Sequence, residues 1–213
     1  MRTTSFLDTL IAEADNALRT LIPPQRRTST RRSPAAEIKE ASLSSSTKKH
    51  IAGLMRVNHA GEVCAQALYQ GQALTAQLTQ IKQQMAQAAA EEVDHLAWCE
   101  ERLDELGSKP SVLNPLWYSG SLILGALAGL AGDKISLGFV AETEKQVTAH
   151  LQKHLQDIPI EDKKTQAILE MMQDDEEFHA TQAIQAGGIE LPYVIKQVMS
   201  AISKLMTKSS YYI

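Results

Sequence analysis

Two short blocks constrain this chain more than anything else in it. Glu92-Val-Asp-His95 and Glu176-Glu-Phe-His179 each place a glutamate three residues before a histidine. Positions i and i+3 of a helix share a face, so both side chains of a block can reach one ion. A lone glutamate precedes each block at nearly the same interval: Glu62 stands 30 residues before Glu92, and Glu144 stands 32 before Glu176. The chain thus repeats one order, helix with Glu, then helix with Glu-x-x-His, at an offset of 82 to 84 residues. The two halves are otherwise dissimilar, so what repeats is ligand geometry. Surface glutamates are common and a single Glu-x-x-His signifies little. Four carboxylates and two imidazoles on four helices, however, are the donor set of a two-metal carboxylate centre inside a helical bundle.

Length and composition agree with this. A chain of 213 residues supports one well-buried domain with extensions. Long Gly- and Pro-free stretches rich in Ala, Gln, Glu and Leu predict an all-α fold. A net charge of -4 gives no reason to expect a nucleic-acid partner. Cys64 and Cys99 match no zinc spacing and read as buried thiols of a reducing compartment. No secretory leader is evident. Phe6, Leu7, Leu10, Ile11 and Ala14 recur at helical spacing, but Asp8, Glu13 and Asp15 are too acidic for a transit peptide.

The expected organisation is a segment 1–47 ahead of a core 48–213. The first holds an amphipathic helix over about 5–21 and a flexible basic linker, marked by Pro23, Pro24, Arg26, Arg27, Arg31, Arg32, Pro34 and the run Ser42 to Thr47. Core helices are expected over about 48–78 with Glu62, 80–106 with Glu92 and His95, 135–156 with Glu144, and 161–186 with Glu176 and His179. Gly107 and Gly187-Gly188 are their stop signals. Residues 116–132 carry no charge and contain Gly120, Gly125, Gly129 and Gly132, which suit close helix packing. They read first as a buried crossover and second as an insertion into one leaflet. A full span would separate the halves of the site. A last helix over about 190–208 is amphipathic and suits packing on the bundle or docking on an anionic membrane.

Within the site, Glu92 and Glu176 are the candidate bridges between two metals, Glu62 with His95 completing one and Glu144 with His179 the other. Glu142 competes with Glu144 but lies about 160° away around the helix. Val147, Leu151 and Leu155 continue the face of Glu144 as an apolar stripe. His59 and Tyr69 fall three before and seven after Glu62, so both are candidates to line the cavity beside the ligands. For His59 a plain structural role reads equally well. His50, His150 and His154 lack the repeated spacing and are left out of the site.

Five segments carry a family resemblance. Arg56-Val-Asn-His-Ala-Gly-Glu62, Leu68-Tyr-Gln-Gly-Gln72, Glu91-Glu-Val-Asp-His-Leu96, Gly138-Phe-Val-Ala-Glu-Thr-Glu144 and Asp174-Asp-Glu-Glu-Phe-His179 resemble the demethoxyubiquinone hydroxylase family of ubiquinone biosynthesis, in the same order. The resemblance covers about residues 48–188. It implies a ferritin-like four-helix bundle holding two iron ions on Glu62, Glu92, His95, Glu144, Glu176 and His179. It implies a monooxygenase using O2 and an external two-electron reductant to hydroxylate the ring of a polyprenyl demethoxyubiquinol, giving a demethylubiquinol. It also implies a peripheral protein on the cytoplasmic face of a bacterial cell membrane, associating with other ubiquinone-pathway proteins or with copies of itself. Residues 112–132 and 190–208 would then be its lipid contacts. The alternatives are another ferritin-like di-iron oxidase or hydroxylase, including one acting on tRNA, and a non-catalytic iron-binding or storage protein.

Overall fold

The computed structural model describes residues 6–22 and 27–213, with the side chains of Phe6, Thr9 and Leu10 set aside. Pro23, Pro24 and Arg26 of the expected linker lie outside the described residues, as do Phe6 and Leu10 as members of the first apolar stripe. The described residues form seven helices and no strand: α1 (Phe6–Leu21), α2 (Ser45–Thr75), α3 (Thr79–Glu105), α4 (Asn114–Leu130), α5 (Asp133–Asp157), α6 (Lys163–Gln185) and α7 (Tyr193–Ser210). The fold is an all-helical, ferritin-like bundle.

Local chemistry sets the helix ends. The Ser44 hydroxyl accepts from the Thr47 N–H at 3.1 Å to start α2, and the Asp162 carboxylate accepts from the Thr165 N–H at 3.2 Å to start α6. The two helices bearing the Glu-x-x-His blocks stop alike. Gly107 and Gly187 take φ of 69° and 103°, and the next residue's N–H returns to Leu103 and Ala183 respectively, a Schellman ending. The three residues between α2 and α3 are pinned by Asp133, whose carboxylate accepts from the Gln77 and Leu78 N–H groups.

The core consists of the hairpins α2–α3 and α5–α6 packed together. At one end Met55, Trp98, Leu103, Leu151, Leu169 and Met172 form an apolar layer. At the other, Ala65, Tyr69, Met85, Leu137, Val140 and Ala183 form a second. On every core helix the candidate ligands fall between these layers in sequence. The polar centre is therefore sealed above and below by side chains whose burial drives folding.

Three helices lie outside this core. α4 packs on α2 by backbone contact: a Cβ on Gly71 would stand 2.3 Å from the Leu122 carbonyl oxygen, and one on Gly125 would stand 2.3 Å from that of Leu68. Gly129 is equally confined, against Thr75, whereas Gly120 and Gly132 face open space. Small residues thus serve close packing on one face of α4 only. Its other face presents Ile123 (61% exposed) and Leu127 (57% exposed) outward, so α4 is half an outer helix rather than a buried crossover. α7 rests against α2 and α5 with Val194 68% and Leu205 64% exposed. The Trp117 N–H donates to Ser210 Oγ at 3.0 Å, so α4 and α7 meet at one end. Among the described residues no helix is long and apolar enough to cross a membrane.

Residues 27–44, whose composition reads as a flexible connection, lie along α3. Arg27 pairs with Glu100 at 2.9 Å, Arg31 with Asp94 at 3.1 Å and with Asp175 at 2.7 Å, and Glu40 with the buried Arg102 at 2.6 Å. Asp94 and Arg102 are buried charges, which need partners to be tolerated. The strap supplies Arg31 to Asp94 and Glu40 to Arg102, which Glu105 and Asp162 also pair.

Candidate metal centre

Midway along the bundle, α2 contributes Glu62, α3 Glu92 and His95, α5 Glu144, and α6 Glu176 and His179, all buried. Ligand atoms of Glu62, Glu92, His95 and Glu176 lie within 4.8 Å of one another. The Nδ1 atom of His95 is 3.2 Å from Glu92 Oε2, 3.2 Å from Glu176 Oε1 and 3.5 Å from Glu62 Oε2. The Nδ1 atom of His179 is 3.6 Å from Glu92 Oε1 and 3.5 Å from Glu176 Oε2. Each of these two glutamates therefore offers one oxygen to each histidine. Donors about 2.0–2.2 Å from one ion stand roughly 3.0–3.5 Å apart, which matches these separations. Glu144 adjoins Glu176 and accepts a hydrogen bond from the Tyr69 hydroxyl.

The electrostatics describe a centre short of positive charge. Burial, and then repulsion from Glu92, pushes the Glu62 carboxyl well above the usual range. Burial, and then Glu176 and Glu92, does the same to Glu144. Burial opposes charging of the histidines, but hydrogen bonds to surrounding carboxylates win, raising His95 strongly and His179 to about 9. Glu176 is also buried, yet the imidazoles of His179 and His95 beside it hold its pKa low. These raised carboxyl and imidazole groups mark a place where divalent cations would bring the missing positive charge. Glu92 Oε1, Glu144 Oε2, Glu176 Oε2 and His179 Nδ1 are all buried without a hydrogen-bond partner among the described residues. Orphaned acceptors at the centre of a bundle are costly unless a ligand takes them, and carboxylate oxygens with imidazole nitrogens suit a divalent transition metal. The residues present fit a pair of metal ions.

The competing side chains sort cleanly. Glu142 points away and pairs with Lys196 at 3.5 Å, while Glu144 is buried at the centre. Tyr69 touches the centre through Glu144. His59 is buried elsewhere, 3.2 Å from Glu100 and 3.1 Å from Asn114, and makes no contact with the four glutamates of the centre. His50 meets Tyr211, and His154 meets Asn58. Cys99 is buried against Met172, and Cys64 is half-buried, its thiol pushed up to about 11 by burial.

Reasoning from spacing missed the groups that hold the histidines. His95 Nε2 is 2.9 Å from Asp175, and His179 Nε2 is 2.6 Å from Glu91. Each imidazole is thereby aimed with Nδ1 toward the centre, as metal-binding histidines are when a carboxylate takes the other N–H. Burial opposes ionisation of Asp175, but hydrogen bonds from His95 and Arg31 hold its pKa down at about 2. The signal was present in the sequence: an acidic residue stands directly before the glutamate in both blocks, Glu91-Glu92 and Asp175-Glu176.

A shallow crevice of about 30 Å³, room for about one water, opens beside His179, lined by Tyr69, Met85, Leu137 and Val140 among others. Tyr69, Phe139 and Val140 close over Glu144 and leave no room for a water.

Comparison with known proteins agrees with this architecture. The family model described as Ubiquinone biosynthesis protein COQ7 matches residues 49–210. A protein of Legionella pneumophila (strain Corby) named 3-demethoxyubiquinol 3-hydroxylase is 74% identical over the full length of both chains. Proteins of the same name from Acinetobacter baylyi and Acinetobacter baumannii are 59% and 58% identical, again over the full length of both. This chain belongs to the COQ7 family of ubiquinone biosynthesis proteins.

Proposed function

We propose that this chain is a 3-demethoxyubiquinol 3-hydroxylase: an oxidoreductase that uses O2, two iron ions and an external reductant to hydroxylate the ring of a polyprenyl demethoxyubiquinol, giving demethylubiquinol. The observation that carries the reading is the division of oxygens. Glu92 and Glu176 each turn one oxygen to His95 and the other to His179, as two bridging ligands would. Glu62 and Glu144 then complete one position each. The full-length relatives, all named for this activity, support the choice of substrate.

Two iron ions held by these six residues would pass electrons from the external reductant to O2 for O–O cleavage. The chain does the rest. Asp175 and Glu91 aim the histidines, and Tyr69 holds Glu144 by its hydroxyl. The apolar layers on both sides exclude bulk water. The apolar side chains Met85, Leu137 and Val140 beside His179 mark the side from which a ring would approach out of an apolar phase, and they must part to admit it.

The same reading assigns the outer helices. A polyprenyl quinol is insoluble in water, so the enzyme works at the cytoplasmic face of the cell membrane, with α4 and α7 as its lipid contacts. Their exposed apolar faces and the lysines Lys204 and Lys208 on α7 support this. A second copy of the chain is the competing occupant of those faces, and flotation on anionic vesicles set against sedimentation of the protein alone separates the two.

The test of function is quinone profiling by mass spectrometry in a bacterial strain lacking its own hydroxylase. Complementation with this chain is expected to clear the accumulated demethoxy intermediate and restore ubiquinone. Continued accumulation with the protein expressed and folded would refute the assignment. A storage protein would instead bind many irons per chain in a shell of subunits.

A further inference from the structure

The two halves of the centre match in ligands but not in what stands behind them. Behind His179 is Glu91, a partly exposed side chain whose second oxygen takes a hydrogen bond from Gln87 at 3.2 Å on the same helix. Behind His95 is Asp175, and its Oδ2 accepts both His95 Nε2 at 2.9 Å and Arg31 Nη2 at 2.7 Å. Arg31 is itself held by further contacts to α3. Its Nε donates to Asp94 at 3.1 Å, and its guanidinium lies 4.9 Å from the centre of the Trp98 ring. Its carbonyl accepts from the Trp98 N–H at 3.4 Å, and the adjoining Thr30 binds Asp94 through both backbone and hydroxyl. Trp98 in turn packs against the His95 ring, centroids 5.4 Å apart.

We propose that Arg31, delivered by the 27–44 strap, is a positioning residue for the metal ion held by His95, and that it makes the two metal positions unequal. The planar fork of arginine spans Asp94 on α3 and Asp175 on α6, so it fixes the carboxylate that aims His95 while joining the two helices that carry the Glu-x-x-His blocks. Among the described residues nothing equivalent stands behind His179, where the backing carboxylate is held by one neutral amide. Arg31 also shares the electron density of Asp175 with His95, so His95 receives less of it than His179 receives from Glu91. The segment ahead of the bundle is thereby part of the metal centre rather than a tether. This rests on reading the centre as a two-metal site.

The test is an anaerobic Co(II) titration of the full-length metal-free protein, followed by visible absorption. Wild type is expected to take two equivalents in two distinguishable steps. Arg31→Ala is expected to weaken one step about 10-fold or more and leave the other at the wild-type affinity. Arg31→Lys should recover part of the loss, since it restores charge without the two-sided grip. Asp175→Asn should weaken the same step, and Glu91→Gln the other. Two unchanged steps in Arg31→Ala, or both steps weakened equally along with a lowered melting temperature of the metal-free protein, would overturn the proposal. If Arg31→Ala does not fold, the Arg31→Lys and Asp175→Asn titrations decide in the same way. Wild type that takes fewer than two equivalents refutes the two-metal reading itself. Wild type that takes two while the variants match it refutes only the role of Arg31.

Discussion

The inner bundle and the outer helices break the usual distribution of residues in opposite senses. Inside, α2, α3, α5 and α6 bury four glutamates and two histidines in a layer between two apolar layers. Outside, α4 and α7 turn Ile123, Leu127, Val194 and Leu205 to the surroundings. Either departure alone costs stability. Together they describe one task. A dry polar centre suits ions and dioxygen, and an apolar exterior suits a substrate that does not dissolve in water. The glycines of α2 and α4 link the two regions by bringing their backbones into contact.

The sharpest way to break this contrast is to remove one side of it. Glu92→Ala or Glu176→Ala deletes a ligand common to both positions, so both metal equivalents should be lost and hydroxylation should fall by about 100-fold or more, beyond the cost of losing a mere supporting carboxylate. Metal analysis and a quinone assay read this, and vesicle binding should not change. The converse is Ile123→Asp with Leu127→Asp. Each substitution forfeits about 1.5–3 kcal/mol of apolar burial, so vesicle affinity should fall about 100-fold or more while the chain still binds two metals. Retained vesicle binding would remove α4 from the lipid contact.

A smaller effect probes the junction. Gly125→Ala places a methyl group 2.3 Å from the Leu68 carbonyl oxygen and forces α4 off α2. The expected cost is about 1–3 kcal/mol, a drop of several degrees in melting temperature. The smallest effect is the pH dependence of the metal-free protein. His179 is raised from 6.5 to about 9, so its contribution to stability is complete below pH 6.5 and is lost as pH rises through about 9. Glu62 and Glu144 are raised as well, so their contribution too declines as pH rises above the ordinary glutamate range. The melting temperature of the metal-free protein should therefore fall by a few degrees between about pH 6.5 and 9. The metal-loaded protein should not follow it, because the ions replace those protons. Parallel curves would contradict the charge balance of the centre.

Much of the inner region is legible from local sequence, and the outer region less so. Helical spacing brings Glu92 to His95, and Gly107 and Gly187 end the helices where a left-handed residue is needed. The choice of Glu144 over Glu142 follows from the apolar face it shares with Leu151. The backing carboxylates Asp175 and Glu91 are legible only by comparing the two blocks. The strap is not legible, because Arg31 and Asp175 are 144 residues apart and their pairing leaves no local period. Its Pro, Ser and Thr residues signal an irregular backbone, which composition alone does not distinguish from a flexible one. The apolar run 116–132 has the same difficulty: which of its glycines meet α2 depends on a helix face that hydropathy does not encode.

The most direct test of the account uses the iron-loaded, chemically reduced protein with a demethoxyubiquinol and isotopically labelled dioxygen, the quinone product being analysed by mass spectrometry. The account predicts two irons per chain and a ring-hydroxylated product carrying one labelled oxygen atom. A product oxygen derived from water, or no hydroxylation by protein holding two irons, would contradict it.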